Sequence, residues 1–139
     1  MNTALTRRQS DDGFSLIELL VVMIIIGLLA SIAVPLFLDQ RKKSHDAATK
    51  SDVNAVSNAV VGYLADHTTV PALTVTGRDV TIDGKAIAKL SPGVVLGPIV
   101  GTVATDWCID ATHPDGDRAK VKGYKFASDD EKVEEGQCT

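Results

Sequence analysis

The chain has 139 residues, of which 45% are hydrophobic, with a formal net charge of −4 and two cysteines. A mildly acidic balance gives no general argument for nucleic-acid binding. The length leaves room for one small domain beside an apolar segment, and such a domain buries limited apolar area and often needs a staple.

The first informative stretch is Gly13-Phe14-Ser15-Leu16-Ile17-Glu18. It opens a run from Leu19 to Leu38 without a charged side chain. At about 1.5 Å per residue that run covers about 30 Å, the thickness of a bilayer core. Glu18 stands at its mouth. A carboxylate near a bilayer centre costs ~2.5–3.5 kcal/mol on insertion scales, so a partner is expected for it. An ordinary secretory signal has a shorter apolar segment, with its cleavage site after it. Here Ala30-Ser31-Ile32-Ala33 would have to serve, and it lies inside the run. Gly27 and Pro35 are two weak points in a helix over this segment: one lowers helix propensity, the other removes a backbone hydrogen bond. Arg7 and Arg8 precede the run with Asp11 and Asp12 beside them, and Arg41-Lys42-Lys43 follows it. Counting Lys and Arg near the ends slightly favours keeping the downstream side in the cytoplasm.

Past the run the helix is expected to continue over about 39–66. Val53, Val56, Val60, Tyr63 and Leu64, with Ala59 beside them, recur at three- and four-residue steps and form one apolar stripe. Ser51, Asp52, Asn54, Ser57 and Asn58 fall largely on the other faces. Asp66-His67-Thr68-Thr69 and Pro71 end the helix. Strands are expected at Ala72–Thr76 and Val80–Ile82, with a turn at Asp83-Gly84. Ala86–Leu90 reads as a strand or a helical turn. Val94–Val103 is too short to span a membrane and holds Gly97, Pro98 and Gly101, so it reads as buried strand and loop. Trp107–Thr112 and Lys122–Ser128 are expected as an antiparallel pair, the second being the last strand, followed by a charged tail.

The stretch from Gly13 through Val22, continuing over Ile24-Ile25-Ile26-Gly27 to Ala33-Val34-Pro35, resembles the class III signal of type IV prepilins and pseudopilins. The resemblance covers the first third of the chain. It implies a leader of residues 1–13, cleavage after Gly13 by a dedicated membrane peptidase, and methylation of the new amine on Phe14. It implies that 14–38 stays as membrane anchor and later as filament core, with a globular domain at 39–139 on the far side of the membrane. The implied fold is α+β: a long amino-terminal helix, its first half transmembrane, packed on a small antiparallel β-sheet. In relatives the helix loosens between equivalents of Gly27 and Pro35, and a glutamate matching Glu18 neutralises a neighbouring subunit's amine. Cys108 and Cys138 both fall in the exported part, where an even count reads as a disulfide. Their positions look like those closing the disulfide-bounded loop of major pilins.

What the resemblance implies about function is structural. The chain would be a type IV pilus subunit, held in the cytoplasmic membrane before assembly and in an extracellular filament after it. Its partners would be further pilin subunits, the prepilin peptidase, an assembly platform and ATPase, and the membrane, with DNA or a host surface as filament targets. The first alternative is the major pseudopilin of a type II secretion system. The second is a membrane-tethered binding domain that never polymerises, against which an intramembrane Glu18 argues. An enzyme is not expected. Gly97–Gly101 lacks the Lys and Ser or Thr of a phosphate-binding loop. His45, His67 and His113 are isolated and read as surface residues without metal-ligand spacing. No cofactor is expected. Asp115-Gly116-Asp117 with Asp129-Asp130-Glu131 offers oxygens for Ca²⁺, but without a full calcium-loop pattern. Arg41-Lys42-Lys43 would meet lipid headgroups in the membrane or DNA in a filament, the former favoured.

Overall fold

The computed structural model describes residues 13–130 and 132–139. The chain divides into two compact units, one ending at Phe37 and one covering Leu38–Thr139. Helix α1, Leu16–Leu64, contributes to both. In the first unit its side chains are apolar on every side apart from Glu18 and Ser31, and the large apolar ones are exposed, from Leu16 at 88% through Ile32 at 74%. A helix that is hydrophobic all round belongs in lipid or in a packed core. It is long and apolar enough to cross a membrane. The helix is unbroken at Gly27 and at Pro35. One turn before the proline, the Ser31 hydroxyl donates to the Leu28 carbonyl at 2.7 Å.

In the second unit α1 turns amphipathic. Val53, Val56 and Val60 are fully buried, and Tyr63 and Leu64 pack beside them. Two antiparallel sheets stand where the sequence suggests one. The first is a meander of β1 (Leu73–Thr76), β2 (Asp79–Ile82) and β3 (Lys85–Lys89). Asp83 and Gly84 join the last two with positive φ of 49° and 78°, the geometry of a type I′ turn. The second sheet holds β4 (Val95–Leu96), β6 (Asp106–Thr112), β7 (Tyr124–Ala127) and β8 (Val133–Glu135) in that order, with β5 (Val100–Val103) also pairing β6. Strand β6 alternates as a half-buried strand should, sending Trp107, Ile109 and Ala111 inward. Trp107 meets Phe126 of β7 with ring centroids 5.3 Å apart. Val80, Ile82, Leu90 and Val94 complete the core against the α1 valines.

Several expectations are corrected. Residues 86–89 are strand, which closes the open alternative there. Strand β5 is exposed along its whole length, not buried, because it lies off the main strand path, pairing β6 on one side and bridging only to Thr69 through Val103. The last strand is β8, inside the charged tail, where register with β7 rather than composition forms it. A four-residue helix, α2 (Arg118–Val121), sits between β6 and β7.

The largest corrections concern polar residues on α1. Asp52 and Ser57 are buried, and so is Asp46. The Asp46 carboxylate accepts the Arg118 amide at 3.0 and 3.1 Å and the Ala119 amide at 2.9 Å, so it holds the start of α2. Asp52 accepts the Ser91 amide at 2.6 Å and its hydroxyl at 3.1 Å. These acids are buried because they satisfy backbone donors that no regular structure would pair. Asp46→Ala is expected to strand the Arg118 and Ala119 amides and lower the stability of this unit by about 1–3 kcal/mol. Urea unfolding followed through Trp107, the chain's single tryptophan and only 3% exposed, measures it.

Candidate functional site

The functional motif begins before the first helical turn. Gly13, Phe14 and Ser15 are non-helical. Space around Gly13 is open, and Phe14 is 86% exposed. The Gly13–Phe14 peptide bond therefore lies in accessible, irregular chain directly ahead of α1. Residues 1–12, including Arg7, Arg8, Asp11 and Asp12, lie outside the described residues.

Glu18 closes the helix start. The Glu18 amide donates to Ser15 Oγ at 3.2 Å. Glu18 Oε2 accepts the Ser15 amide at 2.9 Å and the Ser15 hydroxyl at 3.0 Å. This is a reciprocal capping box, in which serine and glutamate satisfy donors that a helix amino terminus leaves orphaned. Its Ser-x-x-Glu spacing is visible in the sequence, though reading Glu18 for charge alone passes over Ser15. The carboxylate is thus occupied within its own chain by hydrogen bonds from neutral groups, and among the described residues its charge has no counter-ion.

Cys108 on β6 is bonded to Cys138, with Cα atoms 5.8 Å apart and a sequence separation of 30. The bond ties the end of the chain to the central strand of the second sheet. Beside it Asp110 lies close to the Gly97 backbone, where a Cβ on Gly97 would collide with the carboxylate. Burial pushes the Asp110 carboxyl above its usual range. On the β8 edge Glu135 pairs with Arg118 at 2.9 Å and Lys122 at 3.4 Å. Slight burial pushes Glu135 up, but the hydrogen bonds from these two cations outweigh it and hold the carboxyl below the usual range.

The histidines are not all isolated surface residues. His113 is 2% exposed and stacks on His45 with ring centroids 4.2 Å apart. Its Nδ1 takes the Asp115 amide at 3.0 Å and its Nε2 lies 3.1 Å from the Pro92 carbonyl. Gly93, at φ 86°, has no room for a Cβ against this ring. His67 is exposed and stacks on Tyr63 at 3.9 Å. Asp115 and Asp117 lie in the loop before α2, Asp129 and Asp130 in the turn after β7, and Glu131 outside the described residues. Among the described residues no three His, Cys, Asp or Glu side chains gather as a metal site.

The family described as the prokaryotic N-terminal methylation motif matches residues 8–34. Type II secretion system core protein G of Klebsiella michiganensis is 38% identical over 65 residues, 47% of this chain and 46% of that protein. The chain thus spans about half the length of that relative. Fimbrial protein EcpC of Eikenella corrodens is 31% identical over 86% of this chain and 74% of its own. The type IV wide pilus major component PilA4 of Thermus thermophilus is 30% identical over 78% of each chain. These relatives carry the names of structural subunits, not of enzymes. The likeness runs on past α1 and over most of both chains, and on that ground this protein belongs to the type IV pilin and pseudopilin family.

Proposed function

We propose that the chain is a subunit of a type IV pilus. The observation that carries this is where the likeness to named relatives extends. The fimbrial and wide-pilus proteins align over 86% and 78% of the chain, long enough to run past α1 into the sheets, against 47% for protein G. In this reading the peptidase cuts after Gly13, Phe14 is methylated, and residues 14–38 anchor the subunit in the cytoplasmic membrane. An assembly platform and ATPase then lift it out, so that apolar segments leave lipid and bury one another. The domain at 39–139 forms the filament surface. Filament targets such as DNA or a host surface would be met there.

The second reading, a type II secretion pseudopilin, is favoured by the higher identity to protein G, 38%, over the shared stretch. Deleting the gene separates the two. The pilus reading expects loss of surface filaments with secreted proteins unchanged. Loss of secreted proteins with filaments intact would establish the pseudopilin instead.

Processing is tested at Gly13. Gly13→Val places a branched side chain at the cleavage position, and full-length precursor is expected to accumulate in the membrane. Immunoblotting against the domain reads this as a slower band, and a band of mature size in that mutant would overturn cleavage at this bond.

A further inference from the structure

The basic run after the apolar segment is not explained by assembly. On the proposed function Arg41-Lys42-Lys43 lies on the exported side, where the distribution of Lys and Arg about a span does not call for it. In the structure Arg41 and Lys42 form one wall of a cleft of about 580 Å³ within the second unit, together with Leu38. The opposite wall is the loop before α2 and α2 itself, offering Asp115, Asp117, Lys120 and Val121. Among the described residues Arg41, Lys42 and Lys120 form no ion pair, whereas Lys43 pairs with Asp39 and both Arg118 and Lys122 are taken by Glu135. Asp117 makes no capping hydrogen bond. Val121 is 76% exposed, a large apolar side chain on a short and otherwise basic helix.

The second wall is held in place. Asp46 binds the Arg118 and Ala119 amides, and a Cβ on Gly116 would come within 2.6 Å of Asp46 Oδ1. A cleft pinned in this way loses little order when it takes a ligand.

We propose that this cleft binds the headgroup of a phospholipid that carries both phosphate and a primary ammonium, such as phosphatidylethanolamine, while the subunit resides in the membrane. Leu38, which lines the cleft, is the last residue of the bilayer-length run. Leu38 and Val121 suit the start of acyl chains, and Arg41, Lys42 and Lys120 suit the phosphate. Asp115 and Asp117 repel a purely anionic headgroup but accept hydrogen bonds from an ammonium. A choline headgroup has no N–H to donate to them. The inference rests on the membrane-resident stage of the proposed function.

The test is native mass spectrometry of the full chain in dodecyl maltoside with dioleoyl phosphatidylethanolamine, phosphatidylglycerol or phosphatidylcholine added separately. One phosphatidylethanolamine is expected to be retained in preference to the other two lipids. Lys120→Ala, an exposed change, is expected to lower that retention about fivefold. Asp117→Asn, which keeps every cation, is expected to abolish the preference over phosphatidylglycerol. Trp107 fluorescence checks that each variant is folded. Stronger retention of phosphatidylglycerol by the unaltered chain, equal retention of all three lipids, or no effect of Lys120→Ala in folded protein would overturn the proposal. Filaments scored in the same strains keep the two readings apart: a chain that retains the lipid yet builds no filaments upholds the cleft and overturns the pilus assignment.

Discussion

Glu18→Val, expressed as the only copy, is expected to give protein that is cleaved and inserted in the membrane yet forms no filaments. Among the described residues of the separate chain, Glu18 is held by Ser15, through hydrogen bonds at 2.9 and 3.0 Å. Losing that capping box affects the helix start by about 0.5–2 kcal/mol, too little to unfold α1 or expel it from a membrane. Assembly asks more of the carboxylate. On the proposed function, cleavage would leave a positive amine on Phe14, and packing apolar segments together would take both charges out of water. Two separated buried charges are each costly, whereas a close pair offsets much of that desolvation. A neighbouring subunit's amine would take the place of the Ser15 donors and bring each new subunit into register. Glu18→Gln keeps the hydrogen bonds to Ser15 and removes only the charge. If capping were the whole role, Glu18→Gln would assemble normally; the charge-pairing account expects it to fail as Glu18→Val does. Filaments counted by electron microscopy, with immunoblots of membrane fractions, read both variants.

The second large effect is expected at the disulfide. Cys108→Ser or Cys138→Ser opens a ring with a sequence separation of 30. On the loop-entropy account a ring of this size contributes roughly 3–4 kcal/mol, a large share of a small domain's stability. The bond also anchors β8, whose hydrogen-bonded register runs only from Val133 to Glu135. The expected outcome is normal leader cleavage, a lower urea midpoint through Trp107, and fewer filaments. Reduction of the unaltered protein with dithiothreitol should reproduce the same shift in midpoint. An unchanged midpoint in both serine variants would show that the edge strand holds without its tether.

Much of this fold was legible because single residues carried unambiguous physics. An uncharged run of bilayer length has few readings, and Val53, Val56 and Val60 repeat at helical steps that placed them in the core. Strand β2 announced itself by the alternation of Val80, Thr81 and Ile82, and Asp83-Gly84 by turn chemistry. The parts that stayed hidden depend on partners far along the chain. Asp52 reads as a surface acid, and Asp46 gives no signal at all, because nothing near them in sequence needs them. Their donors sit 72 and 39 positions away or more, at Arg118 and Ser91. Helix α2 has no propensity signal of its own, since four residues cannot hold a helix without the Asp46 cap. Strand β8 is concealed among charges because an edge strand faces water on one side, leaving Val133 as its main apolar contact. At the amino terminus the motif was readable, and the methylation-motif family matches it over residues 8–34. The Ser15 partner of Glu18 needed the helix start to be placed within one residue.

The central claim, that this chain builds a type IV pilus, is tested most directly by mass spectrometry of filaments sheared from the cell surface. The account predicts that their main protein is this chain, with methylated Phe14 as its first residue and the Cys108 and Cys138 peptides linked. Filaments made of another protein, or of this chain with residues 1–13 still attached, would contradict it.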